Sequence, residues 1–324
     1  RDVIQIFIFA EISMAAGSKA VLYALAANAG IALTKTFAAV FTGSTSMTAE
    51  AIHSFADCGN QILLLVGMRA ARRPASALHP LGYGKVSYFW SFLVALLLFT
   101  VGGLFSVYEG SHKLLRPEPL QHPWVAIGVL AAGAILESFS LYGALSEIRS
   151  TLRKRSLYRW FRETRQSELM VVVGEDIAAL LGLVIALVFV ALALFTRNPI
   201  FDAVGSIVIG ILLIAIATMM AVEIKSLIIG ESADEDFRER LVAFVAKKYP
   251  QVEILNLITQ HYGKDIVLAV KARFRRWPKT SLALVEAINA VELSIRGEFP
   301  EVRVIFFEPD ISSEQKSRHK AGKR

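Results

Sequence analysis

Residues 43–61, GSTSMTAEAIHSFADCGNQ, open a long apolar run and place His53 and Asp57 four positions apart. On a helix that spacing stacks both side chains on one face, about 6 Å apart, with Glu50 and Asn60 close to the same stripe. If the helix crosses a bilayer the arrangement is costly, because a carboxylate near mid-membrane costs about 2.5 to 3.5 kcal/mol even on the scale taken from insertion experiments. Two readings offset that cost. Either His53 and Asp57 are half of an intramembrane metal site, or they are polar groups satisfied by neighbouring helices.

The chain around this stretch has 324 residues, 54% of them hydrophobic and 19% charged. With a mean hydropathy of +0.50 it is too apolar for a soluble protein of that length. It reads as a membrane protein with a soluble part. Cys58 is the one cysteine, which excludes an intrachain disulfide and a CxxC zinc site. The net charge of +7 is no sign of nucleic acid, since basic residues crowd the cytoplasmic loops of membrane chains for reasons of insertion. The apolar start DVIQIFIFAEIS is too short to span a bilayer and has no convincing cleavage site, so Met14 is the expected natural start.

Hydrophobic runs of roughly 20 residues predict six spans, at about 18–42, 46–69, 86–111, 123–147, 169–195 and 201–229. Lys35 falls inside the first, placed to snorkel or to face the bundle. The loop after span 2 carries Arg69, Arg72, Arg73 and Lys85, and the loop after span 4 carries seven more basic residues between Arg149 and Arg165. The other side has Lys113, Arg116 and Arg197. That asymmetry predicts cytoplasmic termini.

From about 232 the composition becomes that of a soluble domain. DEDFRERLVAFVAKKYP reads as an amphipathic helix with acids in its first turn and Lys near its last. VEILNLITQHY and DIVLAVKARF read as a hairpin around Gly263-Lys264, with Ile266, Leu268, Val270, Ala272 and Phe274 on one face. Leu284, Ile288, Val291 and Ile295 then form one helical stripe, and VRVIFF closes as a strand. The order αββαβ predicts a small ferredoxin-like α+β domain. The expected organisation is an N-terminal extension at 1–17, a transmembrane domain at 18–231, a cytoplasmic domain at 232–311 and a basic disordered tail at 312–324.

The fifth span supplies more ligand-type groups, Glu175 and Asp176, in an otherwise apolar helix. Adjacent positions differ by about 100° around a helix, so the two cannot point squarely at one spot. With His53 and Asp57 they make one imidazole and two or three carboxylates, the size of set that holds zinc with three protein ligands and water. Mixed nitrogen and oxygen ligands suit a site that releases its ion. These groups bind metal only when deprotonated, so such a site exchanges metal for protons.

Other polar residues fit blander roles. Glu137 in span 4 is read as a packing or relay group ahead of a ligand. His79 is read as a turn residue, Asp202 and Glu223 as interfacial or paired charges. His112, His122, His261 and His319 carry no pattern. A metal-dependent intramembrane enzyme would need a nucleophile or base beside the metal, and only Ser54 and Glu175 are near in sequence.

TGSTSMTAEAIHSFADCGNQ, HPLGYGKVSYF, EDIAALLG, the six spans, the basic loop and the αββαβ end together resemble the cation diffusion facilitator family, over about 18–310. EDIAALLG and the basic loop look like the branch of zinc transporter 9. The resemblance implies a homodimeric antiporter in the cell (inner) membrane, not an enzyme, that exports a divalent metal for protons by alternating access. It implies zinc as substrate, with manganese, iron and cobalt open, and a metallochaperone-like cytoplasmic domain. The family's transport ligands fall on His53, Asp57 and Asp176, but the fourth falls on Val172, which cannot bind metal. Either Glu175 takes that place, water completes the shell, or this branch handles its ion differently. The missing ligand also leaves open a degenerate, non-transporting member acting as scaffold or partner subunit. Glu308 is the one residue near a ligand position in the cytoplasmic domain. The resemblance further pairs Lys85 with an acidic residue after span 6 at the dimer interface, here Glu231.

Overall fold

A computed structural model describes residues 18–42, 45–116, 123–152 and 156–311, without the side chains of 18–20, 38–39, 41–42, 45–53, 56, 123 and 150–151. Contacts divide the chain into one unit of Arg1–Arg72 with Val86–Lys225 and a second of Arg73–Lys85 with Ser226–Arg324.

In the first unit the apolar runs become helices: α1 (Ser18–Thr42), α2 (Thr45–Ala71), α3 (Val86–Leu97), α4 (Phe105–Leu115), α5 (Pro123–Leu152), α6 (Leu157–Glu163), α7 (Ser167–Thr196) and α8 (Ile200–Ile229). A π-helical segment, Leu98–Leu104, joins α3 to α4 without a break. The punctuation is local. Pro123 opens α5, where its missing N–H costs nothing, and Ser156 Oγ caps α6 by accepting from the Arg159 N–H at 3.2 Å. Arg197 ends α7 in the left-handed region at φ 54°, and Asn198 Oδ1 accepts from the Ile200 N–H at 3.0 Å to start α8.

Four helices among the described residues are long and apolar enough to cross a membrane: Val86–Leu115, Trp124–Arg149, Ser167–Thr196 and Ile200–Ile229. In α1 the apolar helical stretch is shorter, Val21–Phe37. α2 has 27 residues, and its polar motif interrupts the apolar run.

Helix contacts close a ring, α1 on α2, α2 on α3, α3 on α7, α7 on α5 and α5 back on α1. Several polar groups of these apolar helices turn inward. Asn28, Lys35, Asn60, Gln61, Glu137 and Asp176 are all buried, as expected where the outer surface faces hydrocarbon. Ser91 Oγ donates to Ser167 Oγ at 2.9 Å and ties α3 to α7. α8 packs on the α3–α4 helix through small residues. A Cβ on Gly110 would lie 2.8 Å from the Ala203 carbonyl oxygen, and one on Gly210 would lie 2.8 Å from that of Gly103. Backbones can approach this closely only where side chains are missing.

In the second unit the order is α9 (Glu235–Lys248), β1 (Val252–Tyr262), β2 (Asp265–Phe274), α10 (Ser281–Glu298) and β3 (Val302–Pro309). The αββαβ order expected from sequence is thus observed. The strands lie in the order β1-β2-β3, with β1 antiparallel and β3 parallel to the central β2. Ile266, Leu268, Val270, Ala272 and Phe274 of β2 meet Phe237, Leu241 and Val245 of α9 and Val291 and Ile295 of α10 in one core. Each fully buried Leu, Ile or Val there stabilises the fold by about 1.5 to 3 kcal/mol. Asp234 caps α9 by accepting from the Phe237 N–H at 2.9 Å.

Residues 73–85 belong to this unit, which explains the glycines of HPLGYGK. A Cβ on Gly263, in the hairpin turn at φ +69°, would lie 2.8 Å from the Gly84 Cα. Tyr262 Oη donates to the Gly82 carbonyl at 3.2 Å. Lys85 lies 5.5 Å from the Tyr262 ring centroid and donates to the Ile228 carbonyl at 3.2 Å.

Candidate functional site

In α2, Asp57, Asn60 and Gln61 are three and four residues apart and share one side of the helix. The two amides point at α7. Asn60 Nδ2 donates to Glu175 Oε1 at 2.9 Å, and Gln61 Nε2 donates to Glu175 Oε2 at 2.6 Å. Glu175 is thereby a buried carboxyl group with an amide donor on each oxygen, the satisfaction that a buried polar group needs in an apolar bundle. Asp176, rotated about 100° onward, faces α5 instead. Its Oδ2 accepts from Ser140 Oγ at 2.9 Å. The neighbouring acids of α7 therefore hold two different helices.

Asp57 is half-buried and interacts electrostatically with Glu175 and Glu137. With Asn60 and Leu63 it lines a cavity of 410 Å³ whose opposite wall is Leu97, Leu98 and Val101. That wall includes the start of the π-helical segment, and such segments inside α-helices recur at functional sites. The side chains of His53 and Glu50 lie outside the described residues. Among the described residues no three His, Cys, Asp or Glu side chains converge as a metal-holding group. Glu175 and Asp176 are instead each engaged by their own neighbours. Val172, where the resemblance puts a further ligand, is fully buried.

Sequence reading missed Gln61 and Ser140, which hold the two acids of α7. A polar residue four positions from Asp57 in an apolar helix was the available signal for Gln61; Ser140, lying three residues beyond Glu137, had none. Lys35 faces the bundle and is buried. Glu137 is buried too, with Oε2 lacking a hydrogen-bond partner among the described residues. Asp202 lies 3.8 Å from Lys113 and Glu223 lies 3.4 Å from Arg162, so both are paired charges. His79 shapes a turn, its N–H bonded to the Ser76 carbonyl at 3.1 Å, and its ring lies 4.5 Å from that of Tyr83. The His261 N–H donates to the Glu231 carbonyl at 2.9 Å. Glu308 lies 3.2 Å from Lys271 in an ion pair. His122 and His319 lie outside the described residues.

Apolar helices ringed around inward-facing carboxylates, amides and a lysine make a membrane-type helical domain with ionisable groups in its interior. A family described as the cation efflux transmembrane domain matches residues 21–229, and the chain belongs to that family, whose members are transporters rather than enzymes. The chain is 35% identical over 225 residues to the mitochondrial proton-coupled zinc antiporter SLC30A9 of Xenopus laevis and 32% identical to that of Homo sapiens. Both alignments cover 69% of this chain and 40% of the relative, so the chain matches less than half the length of those proteins. It is 25% identical to the cation-efflux pump FieF of Yersinia pestis over 311 residues, covering 93% of this chain and 95% of that one.

Proposed function

We propose that this protein exports a divalent transition metal from the cytoplasm, zinc foremost, in exchange for protons by alternating access. The observation that carries the reading is that α2 and α7 place Asp57, Glu175 and Asp176 within a ring of apolar helices, with Glu175 and Asp176 buried. Asp57 and Asp176, with the imidazole of His53, serve as ligands, and Glu175 or water fills the place that Val172 leaves. Imidazole favours zinc, cobalt or iron over magnesium and calcium, and the carboxylates keep manganese open. The relatives named as a zinc antiporter and a cation-efflux pump support metal as the cargo.

Because carboxylate and imidazole bind metal only when deprotonated, protons on the far side displace the ion and drive the return. The transport domain of 18–231 crosses the cell (inner) membrane six times with both termini cytoplasmic. The 232–311 domain is ferredoxin-like and metallochaperone-like, the 312–324 tail is disordered, and the protein works as a homodimer with Lys85 and Glu231 at its interface.

Metal uptake into proteoliposomes with a metal-sensitive dye inside, run with and without a pH gradient, tests this. Gradient-dependent uptake of one metal that vanishes in Asp57→Ala is the expected result. Well-folded protein that moves no zinc, manganese, iron or cobalt would overturn it and leave the non-transporting scaffold or partner subunit.

A further inference from the structure

We propose that Glu137, a residue apart from the metal-binding set, carries one counter-proton of the exchange, beside those that the ligands take up. This rests on the transport reading above. Glu137 sits in α5 with 6% of its surface exposed, and its Oε2 has no hydrogen-bond partner among the described residues. A buried carboxylate in that position needs a proton or a countercharge. Both are at hand. Lys35 of α1, Asp57 of α2 and Asp176 of α7 all interact with it electrostatically, and Glu175 of α7 does so as well. α6, the remaining helix packed on α5, brings Arg159, Arg162 and Glu163, but it starts 20 residues beyond Glu137 at the far end of α5.

Charge balance sets the cycle. Metal on Asp57 and Asp176 neutralises those two carboxylates, Glu175 keeps its amides, and ionised Glu137 is matched by Lys35. When the metal leaves, Asp57 and Asp176 claim the field of Lys35, and Glu137 takes a proton. In the outward-facing state an O–H bond forms on Glu137 with a proton from the outer water. In the inward-facing state metal entry breaks that bond, and the proton leaves to the cytoplasmic water. Ser140, three residues along the same face of α5, bonds Asp176 and keeps the proton site one helical turn from the metal site.

Glu137→Gln is nearly isosteric and permanently neutral. In the purified full-length protein it should bind zinc as the wild type does by calorimetry, yet release about one proton fewer per zinc ion. In proteoliposomes its zinc flux should respond less to the pH gradient than that of the wild type, and Glu137→Asp should restore the response. Lys35→Gln, which removes the countercharge, should show the same weakened coupling and serves if Glu137→Gln does not fold. Unchanged proton release and gradient dependence in Glu137→Gln would overturn the assignment and make Glu137 a packing group. Lost zinc binding would overturn it too, by making Glu137 a ligand. Wild-type protein that moves no metal would instead overturn the exchange reading itself.

Discussion

Glu175 shows how a single buried carboxyl group is held in this bundle. Its two oxygens receive one amide donor each, from Asn60 and Gln61, while an ionised carboxylate offers about four acceptor sites. It can therefore keep both amides and still meet a cation. Gln61→Leu keeps the volume and removes the 2.6 Å donor, leaving one carboxylate oxygen uncompensated. The expected cost is about 1 to 3 kcal/mol, read as a lower unfolding temperature in detergent; an unchanged temperature would mean that the bond contributes nothing. Ser140 holds Asp176 in the same manner. Removing a partner that orients a ligand typically weakens metal binding about 10-fold to 100-fold, so Ser140→Ala should lose zinc affinity in that range. Wild-type affinity in that variant would show that the bond is absent once metal is bound.

Among the elements, the α3–α4 helix carries two devices that its composition alone does not announce. Its π-helical segment, Leu98–Leu104, lines the cavity beside Asp57. Gly103 and Gly110 let α8 approach backbone to backbone. Gly210→Val would push a branched side chain against the Gly103 carbonyl and the Val107 N–H. Such overpacking costs about 1 to 3 kcal/mol, and loss of a monodisperse protein in gel filtration would report it; a variant as stable as wild type would refute the close crossing. In the second unit, Lys271 lies 2.7 Å from Asp310 and 3.2 Å from Glu308. Hydrogen bonds first to Asp310 and then to Glu308 raise the Lys271 pKa. A raised folded value means that the stabilisation is complete below the ordinary lysine pKa of about 10.4 and is lost as pH rises through the folded value. Alkaline unfolding of wild type and Lys271→Gln should therefore converge only above that range, and convergence at neutral pH would rule out the linkage.

For the whole molecule, the proposed exchange has metal and protons compete for the same interior groups, so apparent zinc affinity should weaken steadily as pH falls below neutrality. A calorimetric affinity indifferent to pH would contradict the exchange. Most of the architecture behind this is legible along the chain. Apolar runs of membrane length, the His53–Asp57 spacing and the alternation from Ile266 to Phe274 are local patterns, set by 3.6-residue and 2-residue periods that any neighbourhood must respect. Those patterns also disclosed that Glu175 and Asp176 must diverge, since the angle between adjacent helical positions is fixed by the backbone. They could not show where each one goes. That depended on which helix lies beside α7, and so on the ring that brings Gln61 and Ser140 to its acids from 114 and 36 residues away in sequence. The same holds for residues 73–85, which read as a connection between spans but pack with the second unit. Periodicity and hydropathy are properties of a segment and are written in it, whereas the partner of a buried charge is a property of packing, decided only when distant helices meet.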